Sequence, residues 1–171
     1  MRSRVIDSCS ITRVQTWDCQ ASAPSRIEQT LDVTWPRQVG IVARSGRADV
    51  LCIGPADWLA VSTAADTTAL PGQLREACDG STYRATNVSQ ALTRIEIVGV
   101  AVRDVLLKGC ALDLHPSRFP PGRCARTRFA ALATVIQCTQ PSTFECIVSS
   151  SHRDNLLSWL ADATEEFVGT A

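Results

Sequence analysis

The chain has 171 residues, of which 17 are acidic and 17 basic, for a formal net charge of zero at pH 7. That balance excludes nucleic-acid or membrane binding driven by net charge. The length suits one compact domain or two tightly joined halves, burying about 70% of the surface the unfolded chain exposes, so the fold needs no staples.

Taken in order, residues 1–9 read as frayed. Ser10 to Trp17 reads as a strand, with Ile11, Arg13, Gln15 and Trp17 on one side and Val14 on the other. Residues 1–24 together are expected to be a poorly ordered N-terminal segment or an edge strand. Ala21 to Ser25 is a small-residue link. Ser25 and Glu28 have the spacing of a capping box, which opens a helix with Ile27 and Leu31 as its buried stripe and Pro36 as its stop. Gln38 to Arg44 and Ala48 to Ile53 read as strands about a turn at Gly46. Gly54 to Trp58 forms a tight turn that delivers a continuing strand, Leu59 to Ser62. Pro71 sits at a first helical turn, and Leu70, Leu74, Ala77 and Cys78 follow at helical spacing until Asp79-Gly80.

Thr82 to Val88 is another strand. Leu92 to Val98 alternates Thr93, Ile95 and Ile97 against Arg94 and Glu96, as a half-buried antiparallel strand does. The spacing of Val98, Val102, Val105 and Leu106 predicts a helix over Val100 to Lys108, with Asp104 and Lys108 placed for a surface ion pair and Gly109 closing it. Cys110 to Arg128 reads as a long Pro- and Arg-rich loop. Arg128 to Cys138 is the most apolar strand, Gln140-Pro141-Ser142 a turn, and Phe144, Cys146 and Val148 the inward face of a further strand. A last helix begins near Ser151 and Asp154; Leu156, Leu160, Ala163 and Phe167 line its apolar side. The order of elements implies an α+β fold of pseudo-duplicated strand-helix-strand-strand-helix halves: a single domain over 25–171, divided into 25–80 and 81–171.

Little in the chain is suited to catalysis. Lys108 is the single lysine, the other basic residues being arginine, a residue that favours bidentate interface contacts; GC-rich coding explains the bias equally well. The eight cysteines are accompanied by no secretory leader and no apolar run of about 20 residues. Beside Val, Ile and Ala they serve as small hydrophobes, which implies a reducing, cytoplasmic compartment. His115 and His152 are the two histidines, and neither lies in a metal-ligand pair or a nucleophile motif. Cys110 follows a helix C-terminus, where the dipole disfavours a thiolate. Glycine patterns for phosphate are absent. No catalytic, cofactor-binding or metal site is expected in this chain. What remains is Arg118, Phe119, Pro120, Pro121, Arg123, Arg126 and Arg128: a proline-stiffened loop with arginines around an aromatic read as exposed, which is an interface composition or a solvated surface loop. RNA binding is disfavoured by a single aromatic and zero net charge.

Four runs in order, GPADWL (Gly54 to Leu59), LKGCALDL (Leu107 to Leu114), FPPGRCARTRFA (Phe119 to Ala130) and SWL (Ser158 to Leu160), resemble the gamma subunit family of heterotetrameric sarcosine oxidase. The resemblance spans about Gly54 to Phe167. It implies a fold similar to the folate-binding domain of aminomethyltransferases, no catalytic residue in this chain, and alpha, beta and delta partner subunits. On those partners it places NAD, FAD, covalently held FMN, tetrahydrofolate and zinc. The complex would demethylate sarcosine to glycine, reduce oxygen to hydrogen peroxide and pass the one-carbon unit to tetrahydrofolate. Asn87-Val88-Ser89 departs from the family's frequent Asp-Val-Ser, and related complexes act on other N-methylated amines. Lys108-Gly109-Cys110 also occurs in folate-dependent iron–sulfur maintenance proteins, but continues differently here. The competing reading is a folate-binding aminomethyltransferase-like enzyme acting alone, with Asp113 or Glu96 holding the pterin. A tRNA-modification accessory domain is the third.

Overall fold

The computed structural model describes residues 1–6, 9–18, 25–62 and 69–167. The chain divides into two α+β units: Ser8–Ser89, and Gln90–Ala171 joined by Met1–Asp7. The first strand, β1 (Arg2–Ile6), belongs to the second unit. The first unit then runs β2 (Ile11–Thr16), α1 (Ser25–Leu31), β3 (Val42–Arg44), β4 (Ala48–Gly54), β5 (Asp57–Ser62), α2 (Leu70–Cys78) and β6 (Tyr83–Asn87). Its sheet has the order β3-β4-β5-β2-β6, antiparallel throughout.

The second unit runs β7 (Leu92–Val98), α3 (Val102–Gly109), β8 (Cys124–Phe129), β9 (Leu132–Gln140), β10 (Thr143–Ser149) and α4 (Arg153–Thr164). Its antiparallel sheet has the order β1-β7-β10-β9-β8. The two sheets correspond strand for strand, with β7 in the place of β2 and β8, β9 and β10 in the places of β3, β4 and β5. The expected duplication is therefore present, but each half places three strands rather than two between its helices, and each sheet has one strand outside that repeat. In the first unit that strand is β6, which follows the second helix; in the second it is β1, returned from the start of the chain.

The division into halves is corrected accordingly. It falls after Ser89 rather than at residue 80, because β6 pairs with β2 over Tyr83–Asn87. Residues 2–6 are an ordered edge strand paired with Arg94–Val98, and Ile11–Thr16 is interior to its sheet. Periodicity describes each of these short segments but not its distant partner. The link over 21–24 and Cys19 lie outside the described residues.

Each sheet is covered on one face by its two helices. In the first unit Val14, Val50 and Ala60 meet Ile27, Leu31 and Leu74. An aromatic trio completes this core: Trp35 lies 5.1 Å from Trp58 and 6.3 Å from Tyr83 between ring centroids. Trp58 Nε1 donates to the Pro36 carbonyl at 2.7 Å, which satisfies its buried N–H. Glu28 does not close a capping box; its Oε1 accepts the Trp35 N–H at 2.8 Å and ties α1 to the chain beyond it. Asn87 Oδ1 accepts from Ser89 N and Oγ at 3.0 and 2.6 Å, and Ser89 Oγ accepts the Ile11 N–H at 2.9 Å. The oxygen alone is used, so Asn serves where the resembling family often has Asp.

In the second unit Ile95, Ile97, Ile136 and Phe144 face Val102, Val105, Leu106, Leu156 and Leu160. Gly109 sits against the Phe129 ring, and a Cβ there would also lie 2.9 Å from Trp159; Phe129 and Trp159 stack edge-on at 4.9 Å. The glycine of the Lys-Gly-Cys run is thus a packing requirement. On the opposite sheet face Glu145 is buried and bidentate to Arg94, at 2.7 Å from Nε and 2.6 Å from Nη2, and it also accepts from Gln137 Nε2.

The run read as one strand, Arg128 to Cys138, is a hairpin. Ala130 and Ala131 have φ of 48° and 65° and form the two-residue turn between β8 and β9. That turn normally calls for Asn-Gly, so two alanines concealed it. Left-handed alanine costs about 1 kcal/mol or more.

Two tests follow from this packing. Ala131→Gly is expected to stabilise the protein by up to about 1 kcal/mol, whereas Gly109→Ala should cost about 1–3 kcal/mol through overpacking. Thermal unfolding should show them as opposite shifts of about 2–4 °C per kcal/mol. Glu145→Ala should cost about 3–5 kcal/mol by stranding a buried guanidinium, and the paired change Arg94→Met with Glu145→Leu should recover most of it. Urea unfolding midpoints at constant m-value would measure both.

Candidate docking surface

The loop between α3 and β8 is short on regular structure and dense in restraints. Its first turn is closed by the Arg118 and Phe119 N–H groups, both donating to the His115 carbonyl at 2.9 and 2.8 Å. Asp113 Oδ1 accepts the His115 N–H at 3.0 Å, an Asx turn that occupies the carboxylate. Pro120-Pro121-Gly122-Arg123 forms a second turn, with Arg123 N–H donating to the Pro120 carbonyl at 3.2 Å. Gly122 has φ 87°, as the third position of a type II turn after proline requires.

One guanidinium braces the whole loop. Arg103, on α3, donates through Nη1 to the Leu114 carbonyl and, at 3.2 Å, to the Phe119 carbonyl. Its Nη2 reaches Cys138 Sγ at 3.7 Å, and its carbon lies 4.8 Å above the Phe144 ring. The arginine is half-buried, and it fills the carbonyl cage that the loop makes.

The predicted interface residues separate into three groups. Arg118, Pro121, Arg126 and Arg128 are exposed; Pro120 and Arg123 are half-buried. Phe119 is corrected: it is 6% exposed and stacks on Phe144 at 6.2 Å. With Leu114 beside it in the core, the aromatic anchors the loop inward and offers nothing to a partner. Arg126 and Arg128 lie in β8 rather than in a loop. Their registers place them opposite Val135 and Ala133, on the sheet face away from the helices. Because β8 is outermost in its sheet, the result is a cationic sheet edge, which discourages pairing with unselected strands and favours an acidic counterpart.

Groups with chemical potential are held in structural contacts. Lys108 does not pair with Asp104; its Nζ donates to the Ala163 carbonyl at 3.0 Å, pairs with Glu166 and lies 4.8 Å above the Phe167 ring. It caps the end of α4, where a cation complements the helix dipole. Glu96 is bonded to Arg4 at 2.6 Å. Asp113 and Glu96, the two carboxylates considered for a pterin, thus lie on separate elements with separate partners. Burial pushes the Cys52, Cys78 and Cys146 thiols up, Cys78 to about 11, so these three are protonated at neutral pH. Among the described residues no three His, Cys, Asp or Glu side chains converge, and no helix is long and apolar enough to cross a membrane. Sequence reasoning missed Arg103 as the brace, and the pairing of Arg94 with Glu145. The available clue was a charge set inside an otherwise apolar helix face or strand.

The model of the sarcosine oxidase, gamma subunit family matches residues 17–166. The gamma subunit of sarcosine oxidase from an Arthrobacter species is 31% identical over 133 residues, which are 77% of this chain and 64% of that one. The chain therefore spans less than two thirds of this relative's length. Among solved structures, a chain of heterotetrameric sarcosine oxidase from Corynebacterium sp. U-96 superposes with a TM-score of 0.89 at 23% identity, covering 99% of this chain and 86% of that one. Aminomethyltransferase T of the glycine cleavage system from Bartonella henselae superposes at 0.67 and 10% identity, over 92% of this chain and 44% of that one. These likenesses show the expected α+β fold, shared with aminomethyltransferase. Matched along most of its length, the chain belongs to the sarcosine oxidase gamma subunit family.

Proposed function

We propose that this chain is a non-catalytic gamma subunit of a heterotetrameric sarcosine oxidase, supplying docking surface to alpha, beta and delta partners in the cytoplasm. The partners carry FAD, FMN, NAD, tetrahydrofolate and zinc. Together they oxidise sarcosine to glycine, with hydrogen peroxide as product and the one-carbon unit passed to tetrahydrofolate. The observation that carries this reading is the braced cationic edge. Arg118 is exposed on a loop braced by Arg103, and Arg126 and Arg128 are exposed on a strand paired with β9, while Lys108, Asp113 and Glu96 have structural partners. A rigid surface loses little conformational entropy on association, and arginine suits paired carboxylates on a partner.

The aminomethyltransferase fold also supports a folate-binding enzyme acting alone, and one titration separates the two readings. The isolated chain is expected to purify without flavin, to show no sarcosine-dependent peroxide release and to bind no tetrahydrofolate at micromolar concentration; micromolar binding would favour the enzyme. With the partner subunits coexpressed, Arg126→Glu with Arg128→Glu should weaken assembly by about tenfold or more, since arginines at interface centres contribute about 1–3 kcal/mol each. Melting of the isolated variant should stay within about 0.5 kcal/mol of the parent, as expected of surface changes. Assembly unchanged by the double reversal would remove this edge as the docking site.

A further inference from the structure

The first unit carries a second surface that the cationic edge does not involve. An open groove of about 710 Å³ runs between α2 and β6, lined by Trp17, Pro71, Gly72, Arg75, Asp79 and Arg84 among others. Its floor is a sheet edge: β6 is the outermost strand, paired on one side with β2. The Val88 N–H donates to the Ile11 carbonyl at 2.8 Å. Antiparallel pairs alternate between bonded and unbonded, so Thr86 and Arg84 bond inward to Arg13 and Gln15. The backbone groups of Ala85 and Asn87 then point out into the groove.

The walls add two features. Arg75 and Arg84 are exposed, and among the described residues neither guanidinium has a carboxylate partner. One acid, Asp79, lines the groove with these two cations. Trp17 is 73% exposed at the groove's end, and tryptophan is the side chain most enriched where binding energy concentrates. On the α2 side Gly72 leaves the way clear, since a Cβ there would meet nothing within 4 Å.

We propose that the groove between α2 and β6 takes an extended acidic segment of a partner polypeptide, which adds to the sheet as a strand beside β6. Main-chain hydrogen bonds to Ala85 and Asn87 would supply affinity in the manner of β-augmentation. Acidic side chains on the two faces of the added strand meet Arg75 on the α2 side and Arg84 on the other, and an apolar one covers Trp17. About five extended residues, roughly 17 Å, match the length of β6. The surface lies in the other unit from Arg126 and Arg128, and it does not depend on which complex the chain joins.

The test uses this chain and synthetic peptides, with no other subunit of the proposed oxidase, so its outcome is separate from that of the assembly experiment. A capped heptapeptide of the pattern Glu-Glu-Val should shift the amide resonances of Ala85 and Asn87 and the indole resonance of Trp17. Its counterpart with lysine in place of glutamate should bind at least about tenfold more weakly. Arg75→Glu with Arg84→Glu should weaken the acidic peptide by a similar factor. Ala85→Pro removes a donor that faces the groove while leaving the inward bonds of Arg84 and Thr86 to β2, so it should also reduce binding. If that variant does not fold, a peptide N-methylated at alternate amides tests the same bond from the other side. Equal binding of the two peptides, resonance shifts confined to other surfaces, or no binding up to millimolar peptide would overturn the proposal.

Discussion

The loop between α3 and β8 depends on a single half-buried cation. Arg103 reaches from α3 to two carbonyls, a sulfur and an aromatic face. Without it, the carbonyls of Leu114 and Phe119 would lose a charged donor, and a hydrogen bond to a charged group contributes about 1.5–3 kcal/mol. The loop it holds has little other regular structure. The inward stacking of Phe119 on Phe144 belongs to the same arrangement, since the guanidinium lies above the Phe144 ring. Cation, aromatic pair and proline turn therefore act together to hold the loop that carries Arg118.

Much of the fold was legible from local pattern. Leu92–Val98 was bounded to the residue, because alternation runs unbroken until Gly99. Leu70–Cys78 was bounded by Pro71 and Asp79-Gly80. The duplicated order of strands and helices could be seen before any pairing was known. What stayed hidden was either long-range or unmarked. Nothing local in Arg2–Ile6 announces that it pairs with residues in the nineties. The Ala130-Ala131 turn carries none of the residues that usually mark one, so a hairpin looked like a strand and part of its first strand like a loop.

The candidate site was legible by composition and misread in one orientation. The arginines at 118, 126 and 128 were expected outside, and they are. Phe119 was placed with them because it lies among them in sequence, yet a short turn closed on the His115 carbonyl rotates it inward. Composition reports which side chains are present, while the turn decides which way each points. The same holds for Lys108 and Gly109. Their shared run with another family suggests chemistry, but one caps a helix and the other makes room for Phe129 and Trp159.

The placement of β1 has a consequence for how the protein is made. Residues 2–6 leave the ribosome well ahead of their hydrogen-bonding partners in Arg94–Val98, which follow roughly 90 residues later, on the order of ten seconds at translation rates of about 5–20 residues per second. During that interval the whole of Ser8–Ser89 can emerge and find its own core, while the opening strand waits without its sheet. A segment made before the first unit is thus placed after it, and its docking reports that the second unit is complete.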